Sequence, residues 1–164
     1  MWIRTESQDD HAAIHDLLAA AFADVPGHGR VEQRIVDALR SDEALALSLV
    51  ADIDGRIAGV AVFSPVTIAG VERWYGLGPV AVSPQDQRHG VGGALIRAGL
   101  AELADTGAAG CVVLGEPAYY DRFGFRAHPG LRYADVPPPY FQALAFDDVI
   151  PQGEVQYHAS FSAA

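Results

Sequence analysis

A glycine-rich segment, residues 87–93, lies between two predicted regular elements and limits how this chain can fold. The residues before it predict a strand over 71–82, and the apolar spacing after it predicts a helix over about 88–105. A short apolar stretch at 111–114 predicts the next strand. Strand, helix and strand in this order form a crossover unit, which makes the two strands parallel. The chain is therefore expected to fold in the α/β or α+β class.

The other elements are predicted from apolar periodicity and turn residues. Before the crossover unit we expect a helix capped by Ser7, a second helix carrying Val31, Ile35, Ala38 and Leu39, a strand with alternating Leu45, Leu47 and Leu49, the hairpin turn Asp54-Gly55, a strand over 56–68 and the turn Ala69-Gly70. The helix of the unit is expected to bury Val91, Ala94, Leu95, Ala98 and Ala101. After the unit we expect a short helix over 117–122 and a late strand pair over 140–146 and 154–158.

The strand over 71–82 has an unusual interior, because it contains Gly76, Gly78 and Pro79. Proline has no N–H to donate to a neighbouring strand. A glycine inside a strand often marks a bulge or the close approach of another group. We therefore expect the end of this strand to leave one neighbour unpaired.

The glycine-rich segment has the chemistry of an anion site. The first amides of a helix have no partners within the helix, and the helix dipole places partial positive charge there. Glycines remove side chains that would hold a phosphate away from those amides. Arg88 adds a positive charge to the same segment. A structural alternative is a glycine turn that only packs closely on the sheet.

The segment does not match either of two other nucleotide-binding motifs in full. A P-loop needs Gly-Lys followed by Ser or Thr, and no such residues follow here. A dinucleotide fingerprint needs a third glycine, but Gly90-Val91-Gly92 is followed by Gly93-Ala94-Leu95. The dinucleotide alternative stays open because Glu116 ends the next strand, where a ribose-binding acid could lie.

At this point the sequence resembles the GNAT acetyltransferase superfamily. The coenzyme motif of that family, Gln/Arg-x-x-Gly-x-Gly/Ala, matches Gln87-Arg88-His89-Gly90-Val91-Gly92. The resemblance implies an acetyl-CoA cosubstrate bound by Val80, Ala81, Val82, Gln87, Arg88, His89, Gly90, Val91, Gly92 and Gly93. It also implies a mixed, mostly antiparallel sheet of about six to seven strands, flanked by helices and splayed between the fourth and fifth strands.

A second motif of the same family follows the crossover unit. The family's Tyr-x-x-x-Gly-Phe segment matches Tyr120-Asp121-Arg122-Phe123-Gly124-Phe125. Two longer stretches, 74–80 and 114–120, resemble more narrowly the YhbS-like branch of predicted acetyltransferases. The close resemblance covers roughly residues 47–126 and implies a single acetyltransferase domain over 1–164.

The resemblance implies direct attack of an amine on the acetyl thioester in a ternary complex. The backbone N–H near Val82 is expected to polarise the thioester carbonyl, and Tyr120 to protonate the leaving thiolate. Tyr119 is expected to pack or to form a pocket wall. No general base is identified: Glu72, Glu116 and a water chain all stay open.

The acceptor is the least defined part of the prediction. A small-molecule amine is the first expectation and a protein amine the second, with residues 24–30 and the region of Tyr140 expected to shape its site. A module that binds acyl-CoA without transferring the acyl group is the alternative function. A homodimer is expected only by analogy with the fold.

Composition excludes several other classes. With 11 basic and 21 acidic residues the net charge is −10, which disfavours nucleic acid. Residues 1–7 lack the long apolar core of a secretory signal, and no apolar stretch approaches membrane-spanning length, so we expect a cytoplasmic protein without membrane contact. The histidines have no metal-ligand spacing, so no metal is expected. Cys111, the single cysteine, is expected to be a buried strand residue.

Overall fold

The fold is an open sheet with helices on both faces, and the computed structural model describes residues 1–162 of it. The strands are β1 (Trp2–Thr5), β2 (Leu47–Ile53), β3 (Arg56–Ile68), β4 (Val71–Val82), β5 (Gly110–Leu114), β6 (Leu131–Arg132), β7 (Phe141–Ala145) and β8 (Gly153–Gln156). The α-helices are α1 (His11–Ala21), α2 (Arg30–Ser41), α3 (Val91–Asp105) and α4 (Pro117–Tyr120). Single 3₁₀ turns join several of these elements.

The main sheet has the strand order β1-β2-β3-β4-β5-β7. All neighbours on this path are antiparallel except β4 and β5, which are parallel as the crossover unit predicts. β8 pairs with the end of β3, and β6 pairs in parallel with β8. The mixed, mostly antiparallel sheet is confirmed, with eight strands in place of the six to seven expected. The two additions that were not predicted, β1 and β6, have only four and two residues.

The late strands exist but do not pair with each other as expected. β7 pairs with β5, and β8 pairs with β3. The places of β7 and β8 in the sheet follow from the burial of their apolar side chains. Phe141 of β7 and Val155 of β8 join the same buried cluster as Ile68 and Trp74. Alternation along the sequence identifies a strand, but its partner depends on which sheet edge the chain has left open.

The predicted splay lies between β4 and β5. These strands pair only where Trp74–Leu77 faces Gly110–Val113, whereas β4 continues to Val82. The register against β3 shifts by one residue between Leu77 and Val80, which is the bulge expected at Gly78 and Pro79. The last residues of β4 therefore keep β3 on one edge and have no strand on the other.

Each face of the sheet is covered by helices. α1 and α2 cover one face through Ile14, Leu18, Ile35 and Leu39. α3 covers the other face, and its buried side carries Val91, Leu95, Ile96, Gly99, Leu100 and Leu103. The expected face was partly wrong, because Ala101 is exposed. α3 instead packs Gly99 against the ring of Phe63, and a Cβ added to Gly99 would lie 2.3 Å from that ring.

The helix of the crossover unit begins later than predicted. α3 starts at Val91 and not at Arg88, since Arg88 and Gly90 have φ values of 66° and 83°. A left-handed backbone cannot continue a right-handed helix. Within residues 1–162, no helix is both long and apolar enough to cross a membrane.

Candidate functional site

A cleft of about 450 Å³ opens where β4 ends and α3 begins. Its lining residues are Val82, Asp86, Gln87, Arg88, Gly90, Val91, Gly92, Gly93, Arg97, Tyr119 and Arg122. Seven of the predicted site residues are among them. Val80, Ala81 and His89 do not line the cleft. Ala81 is buried in the sheet, and His89 is exposed on the loop.

The loop before α3 is fixed to the end of the strand. The Nε2 amide of Gln87 donates a hydrogen bond to the carbonyl oxygen of Val82 at 3.0 Å. Arg88 and Gly90 then turn the chain through left-handed conformations, with Gly90 as the residue that caps α3. Glycine adopts this conformation without steric cost, so it suits the cap position. The first turn of α3 therefore faces the cleft.

Three backbone amides at the start of α3 are free of intrahelical bonds. The first such bond is made by Ala94, whose N–H donates to the Gly90 carbonyl at 3.0 Å. The amides of Val91, Gly92 and Gly93 precede it and have no acceptor inside the helix. A Cβ on Gly92 would lie 3.4 Å from the hydroxyl of Tyr119 and so would occupy the cleft. The missing side chain leaves that space for a ligand.

Three arginines concentrate positive charge at the cleft of a protein whose net charge is −10. Arg88, Arg97 and Arg122 form no salt bridge with any carboxylate in residues 1–162. The one carboxylate that lines the cleft, Asp86, is paired with Arg56, and their hydrogen bond lowers the pKa of Asp86. The cleft thus combines free cations with free amides, which suits a phosphorylated ligand.

Sequence reasoning missed two of these arginines. Arg97 follows Gly93 by one helical turn, and its Nη1 lies 3.1 Å from the position of a Cβ on that glycine. The guanidinium of Arg97 also lies over the ring of Phe123 at 4.9 Å. The four-residue spacing on α3 was a signal for Arg97, whereas Arg122 comes to the cleft only through the fold.

The end of β4 exposes backbone groups beside the cleft. The N–H of Ser83 donates to the Ala58 carbonyl on β3 at 2.8 Å. Because residues of an antiparallel strand alternate between its two edges, Val80 and Val82 direct their backbone groups to the other edge. That edge is the one from which β5 has diverged. It offers hydrogen bonds to an extended ligand.

Tyr120 lies next to the cleft without lining it. Its ring contacts Phe125 edge-on at 5.9 Å and fills the space beside Gly115, where a Cβ would lie 2.4 Å from the ring. Burial raises the pKa of Tyr120 to about 12, with smaller contributions from Tyr119 and Cys111. Tyr120 is therefore a protonated phenol at neutral pH, and Tyr119 is the tyrosine that forms the cleft wall.

The remaining candidates lie outside the cleft. Glu72 and Glu116 are exposed and line neither the cleft nor the cavity at the splay, so Glu116 is not placed to bind a ribose in the cleft. Cys111 is fully buried as expected, and burial raises the pKa of its thiol well above the usual range. Residues 1–162 contain no group of three or more side chains placed to hold a metal ion.

A second cavity of about 310 Å³ opens at the splay. Its lining residues are Phe22, His28, Glu32, Ile35, Leu77, Gly78, Pro79, Leu114, Tyr133, Tyr157 and Phe161. His28 belongs to the segment 24–30 that was expected to shape an acceptor site. Tyr140 is 44% exposed and does not line this cavity, so the tail contributes different aromatic residues from the one expected.

Comparison with known proteins places this geometry in a family. Residues 2–127 match the family model described as acetyltransferase (GNAT) domain. The chain is 35% identical to the uncharacterized N-acetyltransferase YhbS of Escherichia coli strain K12, over 99% of both chains. The crystal structure of YhbS from Escherichia coli in complex with CoA has a TM-score of 0.91 at 36% identity, covering 98% of this chain and 91% of that one.

A second solved structure agrees. A GNAT family acetyltransferase from Brucella melitensis, in complex with acetyl-CoA, is 51% identical with a TM-score of 0.87, covering 98% of this chain and 97% of that one. The family model covers most of the chain, and the relatives match nearly all of it. The resemblance drawn from the motifs at 87–92 and 120–125 is confirmed, and this chain belongs to the GNAT family of N-acetyltransferases.

Proposed function

We propose that this chain transfers the acetyl group of acetyl-CoA to a primary amine of a small molecule, with residues 1–164 acting as one domain. The observation that carries the proposal is the cleft, where three free helix amides meet three arginines that have no carboxylate partner. Relatives that match the whole chain hold acetyl-CoA or CoA. A pyrophosphate at the start of α3 would satisfy both sets of donors.

The coenzyme is held in two ways under this proposal. The amides of Val91, Gly92 and Gly93 donate to the pyrophosphate, and each charge-assisted bond contributes about 1.5–3 kcal/mol. Arg97, one turn further along α3, and Arg122 neutralise the phosphate charge. The open edge of β4 at Val80 and Val82 pairs with the pantetheine arm in place of β5.

Acetyl-CoA supplies the thioester that an amine attacks directly. The N–H of Val82 points to the open edge and stabilises the negative charge that develops on the carbonyl oxygen. Tyr120 gives its proton to the leaving sulfur, which is consistent with a phenol that stays protonated at neutral pH. General acid catalysis of this kind contributes about 10²–10⁴-fold.

A small-molecule acceptor is favoured by the second cavity. It lies at the splay, beside the open edge of β4, and holds about 310 Å³. That volume is at the lower end of small-ligand sites, which run from roughly 300 to 1,000 Å³. Its walls are mostly apolar and include the rings of Phe22, Tyr133, Tyr157 and Phe161, whereas a protein substrate needs a groove with backbone partners.

The experiment is a measurement of free CoA released from acetyl-CoA over a panel of amines, with mass spectrometry of the acetylated product. The proposal predicts CoA release that depends on a small amine and equals the amount of N-acetyl product. A protein that binds acetyl-CoA but releases CoA only at the background rate on every amine is an acyl-CoA sensor, and the proposed transfer is then wrong. The chain has no lysine, so self-acetylation of lysine side chains cannot contribute to the signal.

A further inference from the structure

The second cavity has an aromatic wall made by distant parts of the chain. The rings of Tyr133 and Tyr157 lie 4.6 Å apart, and those of Tyr157 and Phe161 lie 5.1 Å apart. Tyr157 reaches over β4 at Gly76, where a Cβ would lie 2.6 Å from its ring. The glycine in β4 therefore makes room for this wall. Such a surface binds a flat apolar group.

The part of the cavity lined by the start of α2 carries a carboxylate. Glu32 has a side chain that is only 10% exposed. Its Oε1 accepts the N–H of Gly29 at 2.6 Å, and its Oε2 lies 3.0 Å from Nδ1 of His28. Glu32 is the only carboxylate among the lining residues, and no arginine is among them. A carboxylate kept from water without a full cationic partner favours a ligand that brings a cation.

The charged side and the aromatic wall meet at the splay. Leu77, Gly78 and Pro79 of β4 line the cavity together with Leu114 at the end of β5. These residues directly precede Val80, at the point where the two strands stop pairing. A ligand in this cavity therefore lies beside the strand edge on which the thioester is proposed to lie.

We propose, building on the function above, that this cavity binds the acceptor as an arylalkylamine: a primary ammonium drawn to the His28–Glu32 pair, and a flat apolar body against Tyr133, Tyr157 and Phe161. A carboxylate on the acceptor is rejected, because Glu32 repels it in a buried site. A second ammonium at the far end binds less well than an aryl group, because it loses its water against the apolar wall and finds no carboxylate there.

The same pair handles the amine proton. A carboxylate only accepts hydrogen bonds, so Nδ1 of a neutral His28 donates to Glu32 and leaves Nε2 as an acceptor. His28 takes one proton from the ammonium and releases it to solvent. The amine nitrogen then bonds to the acetyl carbon as the carbon–sulfur bond breaks. Tyr120 gives its proton to the sulfur and regains one from the acylated nitrogen, so one proton is released overall. Glu32 is a positioning residue in this step.

The first test compares three acceptors at saturating acetyl-CoA: 2-phenylethylamine, L-phenylalanine and putrescine. Phenylalanine differs from 2-phenylethylamine only by its carboxylate, and putrescine replaces the ring with a second ammonium. We expect kcat/KM for 2-phenylethylamine to exceed both others by at least about 10-fold. Equal or higher kcat/KM for either competitor, or no turnover of 2-phenylethylamine by a protein that binds acetyl-CoA, overturns the inference.

The second test uses variants of the charged pair. Glu32→Gln keeps an oxygen for the Gly29 N–H and removes the charge, so KM for 2-phenylethylamine should rise about 10-fold and kcat should fall. His28→Gln should lower kcat by about 10²-fold. The matched controls are Asp37→Asn on the exposed side of α2 and His15→Gln, whose ring lies 3.8 Å from Asp37. Both controls should leave these values unchanged.

Failure of this inference is distinguishable from failure of the proposed function. The Kd of acetyl-CoA should be the same for wild type, Glu32→Gln and His28→Gln, because neither residue lines the coenzyme cleft. Loss of acetyl-CoA binding in the wild-type protein overturns the proposed function. Normal acetyl-CoA binding with unchanged kinetics for 2-phenylethylamine in both variants overturns the acceptor site alone. Phe161→Ala adds a variant outside the pair, which should raise KM for 2-phenylethylamine and not for putrescine.

Discussion

The guanidinium of Arg122 lies 4.6 Å from the centre of the Tyr119 ring, and its Nε donates to the Tyr119 carbonyl oxygen at 2.8 Å. These two contacts hold a cation at the mouth of the cleft without using a carboxylate. The charge of Arg122 is therefore available to an anionic ligand. The neighbouring Arg126 differs, because its Nη1 pairs with Asp121 at 2.6 Å.

This difference predicts unequal effects of two arginine substitutions. Arg122→Gln should weaken acetyl-CoA binding by about 10-fold, since one charge-assisted interaction with phosphate is lost. Arg126→Gln removes the same charge outside the cleft and should change the affinity by less than about 2-fold. Calorimetric titration of both variants checks this. Equal losses would mean that the coenzyme senses the general charge of this region and not the cleft arginine.

Tyr120→Phe should separate chemistry from binding. We expect kcat to fall by about 10²–10⁴-fold with little change in the Kd of acetyl-CoA, because the hydroxyl acts only when the thiolate leaves. Tyr119→Phe is the matched control, since Tyr119 lines the cleft but has no assigned proton. Unchanged kcat in Tyr120→Phe would remove it from the mechanism.

The pKa of Tyr120 also predicts the alkaline behaviour of the enzyme. Burial raises that pKa to about 12, so the phenol keeps its proton through the range in which a free tyrosine would titrate. The kcat should show no descending limb below about pH 10 that depends on Tyr120. A limb with a midpoint near pH 9 in wild type that disappears in Tyr120→Phe would contradict this assignment.

The ion pair between Asp10 and Arg4 should make the free energy of unfolding fall at acidic pH. The Asp10 carboxylate pairs with Arg4 at 2.7 Å and accepts the N–H of Ser7 at 2.7 Å, and the Arg4 hydrogen bond is the main cause that lowers the pKa of Asp10 to about 2. The folded pKa lies below the ordinary 3.8, so the stabilisation is complete above that value and is lost as pH falls through 2. Asp10→Asn should cost about 2 kcal/mol at neutral pH.

Urea unfolding at neutral pH and near pH 2.5 checks this prediction. The difference between wild type and Asp10→Asn should shrink to less than half at about pH 2.5, because Asp10 is then protonated in the unfolded state. Asp9→Asn, an exposed neighbour, should show no such difference at either pH. A constant difference across pH would mean that the substitution acts through the 3₁₀ turn and not through the ion pair.

Much of the fold was predictable where turn residues in the sequence mark the two ends of an element. The turns Asp54-Gly55 and Ala69-Gly70 adopt positive φ values at both residues, and they delimit β3 at the predicted positions. The start of α3 was not predictable in the same way, since Arg88 adopts a left-handed conformation that its residue type does not signal. The partners of β7 and β8 were missed because strand pairing over long separations depends on tertiary packing.

The candidate site was likewise predictable only where its residues lie close together in sequence. The residues of the glycine loop are contiguous in sequence, so a motif could identify them. Arg97 lies one turn after Gly93 on the same helix, so its spacing was a usable signal. Arg122 reaches the cleft, and Glu32 and Tyr157 come together in the second cavity, only through the tertiary fold. No local pattern marks these three residues, because their neighbours in space come from different elements.

The proposed function requires that the cleft bind acetyl-CoA through the first turn of α3. Calorimetric titration of the purified protein with acetyl-CoA, with NAD as a control ligand, measures this binding. Gly92→Glu places a carboxylate in the space proposed for the pyrophosphate, and Ala101→Glu places the same group on the exposed side of the helix. We predict acetyl-CoA binding without NAD binding, a loss of at least about 100-fold in Gly92→Glu and no loss in Ala101→Glu. A folded wild-type protein that does not bind acetyl-CoA, or a Gly92→Glu variant that binds it as tightly as wild type, would contradict the claim.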